Sequence, residues 1–177
     1  MKKIMIIAVI LSFLFGCEND RQFNNHPETN IDMNKNPSIG EQNKKTVRAF
    51  FQALEAENVE DLISLFAEDA VHINPYASGI FPEGARGRDG IRQYWTPVFP
   101  NFDGMEFPIE EIYAMEDPTK VYVKYHGRIK LKGDAGYYEN DYYSTFTFNQ
   151  EGLITEYVEI FNPIVAARGF GLIDQIK

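Results

Sequence analysis

Apolar residues recur at helical spacing over residues 41–57, the first patterned stretch of the chain after a polar segment. They stand at i, i+3, i+4 and i+7, which places one apolar stripe on a helix. These positions are Val47, Phe50, Phe51 and Leu54. Asn58 is then predicted to cap a short second helix that has Asp61 in its first turn. A third helix with the same spacing is predicted to end near Thr96, because Pro97 cannot continue it.

Strand patterns follow these helices. A short strand is predicted over 70–74, and alternation of apolar and polar residues with period two begins at Met105. The alternation changes parity near Glu110 and Glu111, which predicts a β-bulge at that point. Three more strands, joined by turns rich in glycine, asparagine and aspartate, are predicted over 121–131, 137–148 and 153–161.

Helices followed by an antiparallel meander indicate an α+β fold, with the helices packed on one face of a strongly curved sheet. Asn162 is predicted to cap a last helical turn that has Pro163 at its first position and ends at Gly169 or Gly171. Because no repeat and no second boundary interrupts the pattern, residues 41–177 are predicted to form one domain.

The N-terminal segment has the layout of an export signal. Two lysines precede an apolar run over 4–15, which is too short to span a bilayer comfortably, and a small residue, Gly16, follows. The sequence Leu14-Phe15-Gly16-Cys17 resembles the bacterial lipobox, in which the cysteine is acylated after cleavage. The resemblance implies a signal peptide over 1–16, lipidation at Cys17 and a lipid-anchored location in the bacterial cell envelope. An ordinary secretory signal or an uncleaved anchor is the alternative, and the membrane and leaflet stay open.

Composition narrows the possible partners. The chain of 177 residues carries a formal net charge of −9. Such acidity opposes binding to nucleic acid and to anionic lipid surfaces, so the predicted membrane attachment depends on the acyl chains. Residues 17–40 are dense in asparagine and charge without any period, which predicts a flexible lipidated tether.

Several later segments carry a family resemblance. The segments Thr46-Val-Arg-Ala-Phe-Phe-Gln-Ala-Leu-Glu-Ala-Glu-Asn58, Leu65-Phe-Ala-Glu-Asp-Ala-Val-His72 and Gly87-Arg-Asp-Gly-Ile-Arg-Gln-Tyr94 resemble the polyketide-cyclase (SnoaL-like) branch of the nuclear-transport-factor-2-like superfamily. Tyr138-Glu-Asn-Asp-Tyr142 and Glu159-Ile-Phe-Asn-Pro163 resemble segments of the phenazine-biosynthesis A/B proteins. The resemblance implies a cone-shaped, cystatin-like fold over residues 41–177 with an internal pocket, and a homodimer.

Glu139 is the first candidate for acid–base chemistry. It lies among four tyrosines in the sequence, and a carboxylate enclosed by aromatic rings favours its protonated form because burial removes water from the charge. The family resemblance implies a proton-transfer role for Glu139 and for His72, at the end of the first strand. The alternatives are that Glu139 pairs with a basic residue on a neighbouring strand and that His72 is a core histidine.

Strand alternation leaves the orientation of the candidate pocket residues open. Of the two parity sets on one strand, only one can line a pocket. The first set is Glu139, Asp141 and Tyr143, and the second is Tyr138, Tyr142 and Phe146. The predicted ligand-binding residues are Tyr94, Trp95, Tyr125, Tyr142, Glu159 and Phe161, of which Glu159 and Phe161 are placed inward by the family resemblance.

Two function classes remain, since no metal-ligand spacing, phosphate-binding loop or nucleophile elbow is present and the sequence predicts no metal or cofactor. The first is a cofactor-free isomerase, cyclase or dehydratase, in which Glu139 moves a proton on a carbonyl-bearing or cyclic substrate. The second is a non-catalytic lipid-anchored module that binds a small apolar ligand or a partner protein. The preferred interpretation is small-molecule binding in the cone, with catalysis left open.

Overall fold

Helix α1 (Ile39–Glu55) is the first element of the computed structural model, which describes residues 37–133 and 135–175. It begins two positions before the predicted start because the Ser38 hydroxyl caps it by accepting a hydrogen bond from the Glu41 amide at 3.3 Å. The predicted stripe of α1 is buried. Asn58 caps α2 (Val59–Ser64) as predicted. The predicted signal peptide, Cys17 and nearly all of the predicted tether lie outside the described residues.

The remaining elements follow the predicted order. They are β1 (Phe66–Ile73), β2 (Gly84–Arg86), α3 (Gly87–Trp95), β3 (Phe102–Glu106), β4 (Ile109–Ala114), β5 (Lys120–Leu131), β6 (Tyr137–Phe148), β7 (Ile154–Phe161) and α4 (Pro163–Gly169). The first strand begins earlier than predicted, and β2 lies in a predicted loop, because three residues are too few to show an alternation. The register shift between Ile109 and Glu111 confirms the predicted bulge.

The strands form one sheet in the order β2-β1-β7-β6-β5-β3, with β4 also paired to β5. Strands β1 and β7 run parallel, and the other pairs are antiparallel. The sheet curls into a half-barrel with the N-terminal helices on it, which confirms the predicted α+β fold. None of the helices in the described ranges is both long and apolar enough to cross a membrane.

Phe50 of α1 lies at the centre of an aromatic core between the helix and the sheet. Its ring centroid is 6.1 Å from that of Phe66 on β1, 5.1 Å from that of Phe146 on β6 and 4.9 Å from that of Tyr157 on β7. Aromatic side chains bury large apolar areas, and tilted or edge-to-face contacts between their rings are favourable. This core attaches α1 to the inner face of the sheet and leaves the space toward α3 and α4 for a cavity.

Candidate functional site

A cavity of about 540 Å³ is bounded by the inner face of the sheet, α3, α4 and the adjoining loops. Ten of the 20 residues that line it are aromatic. Glu159 is the only one of these 20 residues that carries a carboxylate, and no lysine or arginine is among them. The site is therefore an apolar, aromatic chamber with a single acidic group.

The acidic group is paired with a buried histidine on the neighbouring strand. His72 of β1 lies opposite Tyr157 of β7 in the parallel register, so Glu159, two residues further along, points to the same face. The His72 Nε2 atom is 3.3 Å from Glu159 Oε2, and the histidine side chain has no solvent exposure. Its ring stacks on those of Trp95 and Tyr157, at centroid distances of 5.9 Å and 4.7 Å. These contacts fix the position of the imidazole beside the carboxylate.

A chain of hydroxyl groups reaches the same carboxylate through Tyr125. The Tyr125 hydroxyl donates to Glu159 Oε1 at 3.5 Å and lies 3.1 Å from the Tyr157 hydroxyl. Ser144 donates to the Tyr125 oxygen at 3.4 Å. Burial raises the pKa of Tyr125 and of Tyr157 well above its ordinary value, and the negative charge of Glu159 raises it further. Both hydroxyls therefore stay protonated and can donate hydrogen bonds at neutral pH.

A second hydroxyl pair lies on β6. The Asn140 side-chain amide donates to the Tyr138 oxygen at 2.8 Å, and the Tyr138 and Tyr142 hydroxyls are 3.0 Å apart. Burial is also the main cause that raises the pKa of Tyr138 and of Tyr142. Asn140 in addition donates to the Asn162 carbonyl at 3.0 Å, which connects this pair to the cap of α4. The cavity thus has neutral polar groups at defined positions on an otherwise apolar wall.

Three buried polar side-chain atoms of His72 and its surroundings have no hydrogen-bond partner among the described residues. They are His72 Nδ1, Asn74 Oδ1 and Trp95 Nε1. A neutral imidazole with its hydrogen on Nε2 fits this environment, because that hydrogen is donated to Glu159 and Nδ1 needs no acceptor. A hydrogen on Nδ1 would be a buried donor without a partner, which costs free energy.

The prediction that aromatic rings enclose the Glu139 carboxylate is wrong, and the alternative, pairing with a basic residue on a neighbouring strand, is confirmed. The Glu139 side chain is half exposed on the outer face of the sheet and accepts a hydrogen bond from Arg128 Nε at 3.1 Å. The reason is the period of two along β6, where Tyr138 and Tyr142 are buried, so the odd-numbered positions point to solvent. The tyrosines adjacent in sequence therefore cannot enclose this carboxylate, and Glu139 has no access to the cavity.

The six residues predicted to bind a ligand all line the cavity. They are Tyr94, Trp95, Tyr125, Tyr142, Glu159 and Phe161. His72 adjoins them through Glu159 and the stacked rings, so the structure unites these residues with His72 but not with Glu139. Sequence reasoning missed the polar contributions of Asn74, Asn140 and Ser144. A signal for Ser144 exists, because it is a small polar residue on the buried parity of β6 between two aromatic residues.

The described residues contain no group of three or more histidine, cysteine, aspartate or glutamate side chains that could hold a metal ion. The arrangement instead offers one carboxylate, one imidazole and several neutral hydroxyls. These groups can bind and orient a polar substituent or transfer a proton.

A family profile for the SnoaL-like domain matches residues 47–157. The chain belongs to the SnoaL-like family. This membership confirms the resemblance seen in the sequence and agrees with the curled sheet and its internal cavity. No curated protein matches this SnoaL-like chain significantly.

Solved structures share the fold of this SnoaL-like chain. A candidate isomerase from Bacillus subtilis is 21% identical, with 77% of this chain and 97% of that chain covered and a TM-score of 0.69. A phenazine biosynthesis-related protein from Pseudomonas aeruginosa is 22% identical, with coverages of 76% and 88% and a TM-score of 0.63. TerC, crystallised with polyporic acid, is 18% identical, with coverages of 75% and 98% and a TM-score of 0.62. At these identities the similarity shows the fold alone.

Proposed function

We propose that the SnoaL-like domain binds a small, largely apolar cyclic molecule in its internal cavity. The observation that carries this proposal is the aromatic chamber of about 540 Å³ with one carboxylate and several neutral hydroxyls. Its volume lies within the usual range for small-molecule sites, and such sites combine apolar walls with a few polar groups. The crystallisation of TerC with polyporic acid supports the proposal by analogy of fold.

Binding can be followed through Trp95, the only tryptophan of the chain and part of the cavity wall. We expect small, largely apolar cyclic compounds to change its fluorescence in a saturable manner. Ala166→Leu enlarges a buried residue of the wall and should abolish this response. Ala56→Leu is the matched control, because Ala56 is exposed at the end of α1. The proposal fails if no compound alters the fluorescence or if Ala166→Leu responds like the wild type at an unchanged melting temperature.

A second candidate function, proton transfer without a cofactor, is favoured by the pairing of Glu159 with His72. Glu159 Oε1 is the carboxylate oxygen that does not contact His72, and it would accept a proton from the bound molecule. His72 would position the carboxylate by donating to Oε2, and the Tyr125 hydroxyl would stabilise negative charge that develops on a substrate oxygen. The role that the sequence suggested for Glu139 is thus proposed for Glu159.

Deuterium exchange at the α-carbon of a bound cyclic ketone, followed by NMR, tests this second function. Glu159→Gln keeps the shape of the side chain and removes the acid–base group. We expect the exchange rate to fall by about 10² or more. Glu139→Gln removes the same charge from the outer face and should leave the rate unchanged. Equal rates for wild type and Glu159→Gln would exclude Glu159 as the proton acceptor.

We also propose that the chain is anchored to a bacterial envelope membrane through acylated Cys17 and that it forms a homodimer. The lipobox sequence supports the anchor. Exposed aromatic residues on the outer face of the sheet support the dimer; they are Tyr113, Tyr137 and Tyr143.

A further inference from the structure

Within the part of the chain that the structure describes, no lysine or arginine pairs with Glu159 in the cavity. Among the 20 residues that line the cavity it is the only carboxylate, and none of them is a lysine or an arginine. In the described ranges its only ion-pair contact is with His72, at 3.3 Å. Whether this contact neutralises the carboxylate depends on whether the imidazole carries a hydrogen on one nitrogen or on both.

The contacts of His72 favour a neutral imidazole that donates to Glu159 over a charged counter-ion. A positively charged imidazole carries a hydrogen on both nitrogens, and Nδ1 is buried with no acceptor among residues 37–133 and 135–175. The rings of Trp95 and Tyr157 both stack on the imidazole. With a neutral imidazole the pair retains one net negative charge, which the Tyr125 hydroxyl and solvent in the cavity stabilise without a counter-ion.

A ligand that fills the chamber displaces that solvent. A neutral ligand would then leave a desolvated carboxylate without a counter-charge, which is a costly arrangement in a protein interior. An anionic ligand would add repulsion. A cationic ligand supplies the missing charge, and its positive group is also attracted by the faces of aromatic rings, which make up half of the cavity lining.

We infer that the ligand of this cavity carries a positive charge, as a protonated or quaternary amine attached to a cyclic body, and that Glu159 is its counter-ion. This inference rests on the proposed ligand-binding function and names the class of ligand. The tyrosine hydroxyls are consistent with it, because the negative charge of Glu159 contributes to the raised pKa of Tyr94, Tyr125, Tyr138, Tyr142 and Tyr157. A cation would therefore meet one carboxylate among neutral hydroxyls.

Phenyltrimethylammonium and tert-butylbenzene have nearly the same shape and differ in charge. Titrating each into the full-length chain, with Trp95 fluorescence as the signal, isolates the effect of the positive charge. We expect the cation to bind at least about tenfold more tightly than the hydrocarbon. Glu159→Gln should remove this preference, whereas Glu139→Gln should keep it although it changes the net charge of the chain by the same amount.

Each outcome decides between the two proposals. Equal affinities in the wild type, or a preference for tert-butylbenzene, would overturn the cationic ligand and leave the ligand-binding function standing. If neither compound binds, both proposals fail for this class of aromatic ligand. A cation preference that persists in folded Glu159→Gln, or disappears in Glu139→Gln, would show general attraction to an acidic surface and would also overturn the inference. Should Glu159→Gln unfold, the comparison of the two compounds on the wild type and on Glu139→Gln still decides.

Discussion

His72 Nε2 and Glu159 Oε2 lie 3.3 Å apart, although 87 positions separate the two residues in the chain. The parallel pairing of β1 with β7 brings them together, because it sets His72 opposite Tyr157 and places Glu159 on the same face. A carboxylate at the cavity wall is thereby oriented by an imidazole that solvent does not reach. Such an arrangement suits a carboxylate that must keep one geometry while a ligand enters and leaves.

Gly127 is required for the position of Tyr142 on the cavity wall. A Cβ at this position would lie 2.7 Å from Tyr142 Cε2 and 3.3 Å from Phe107 Cε1. Gly127→Ala should lower the free energy of unfolding by about 1–3 kcal/mol, as is usual for overpacking. It should also weaken ligand binding, because the Tyr142 ring must move. Urea denaturation and the Trp95 titration measure the two effects.

The matched control for this substitution is Gly90→Ala, in the interior of α3. A Cβ there meets only Ala85 Cβ at 3.9 Å, an ordinary contact. Alanine favours the helix over glycine, so the free energy of unfolding should rise by about 0.5–1 kcal/mol. If both variants change the free energy of unfolding in the same direction, the close approach of Tyr142 to Gly127 does not explain the effect of Gly127→Ala.

Buried tyrosines predict a loss of stability in alkali. Burial raises the pKa of Tyr125, Tyr142 and Tyr157 in the folded state, whereas in the unfolded chain they ionise near the ordinary value of about 10. Above that pH the unfolded state binds fewer protons, so the free energy of unfolding falls as pH rises. The contribution of these tyrosines to the free energy of unfolding is complete below about pH 10. Above that pH it decreases by about 1.4 kcal/mol per pH unit for each tyrosine.

Urea midpoints recorded from about pH 8 to about pH 11.5 test this prediction. Tyr157→Phe removes one of the ionising hydroxyls, so the free energy of unfolding should fall less steeply with pH in alkali. Below about pH 9 its dependence on pH should be unchanged. A midpoint that stays constant up to the highest pH, or a slope that is the same in Tyr157→Phe, would contradict it.

Cys17→Ser tests the proposed lipid anchor. With the signal peptide removed, we expect no other segment to hold an acidic chain on a bilayer, so the variant should move from the membrane to the soluble fraction. Mass spectrometry of the N-terminal peptide should show the acyl chains on the wild type only. Identical fractionation of the two proteins, with no acyl mass on either, would refute the anchor.

Sedimentation at micromolar concentration tests the proposed dimer. Tyr143 is 42% exposed on the outer face of β6, and Tyr143→Lys places a charge within the proposed interface. We expect the wild type to sediment as a dimer and this variant as a monomer. Ile173→Lys is the control, because Ile173 has a similar exposure near the C-terminal end, outside the sheet. A monomeric wild type would exclude the dimer.

The local pattern of residues by itself determined most of the secondary structure. Caps at Asn58 and Asn162, the stop at Pro97 and the bulge near Glu110 all depend on neighbours a few positions away, and each was predicted. The apolar stripe of α1 and the alternation along β5 and β6 likewise follow from side-chain spacing. Short-range chemistry therefore sufficed to predict the α+β class and the order of the helices and strands other than β2.

Only the tertiary structure decided which carboxylate reaches the cavity. Alternation shows that Glu139 and Tyr142 of β6 face opposite sides, but it does not say which side is inner, since that depends on where α1 and its aromatic core attach to the sheet. The contact between His72 and Glu159 depends on a parallel pairing of two distant strands, whose register is set by long-range burial rather than by any local signal. For that physical reason the sequence pointed to a proton-transfer carboxylate on β6, and the fold placed the carboxylate of the cavity on β7.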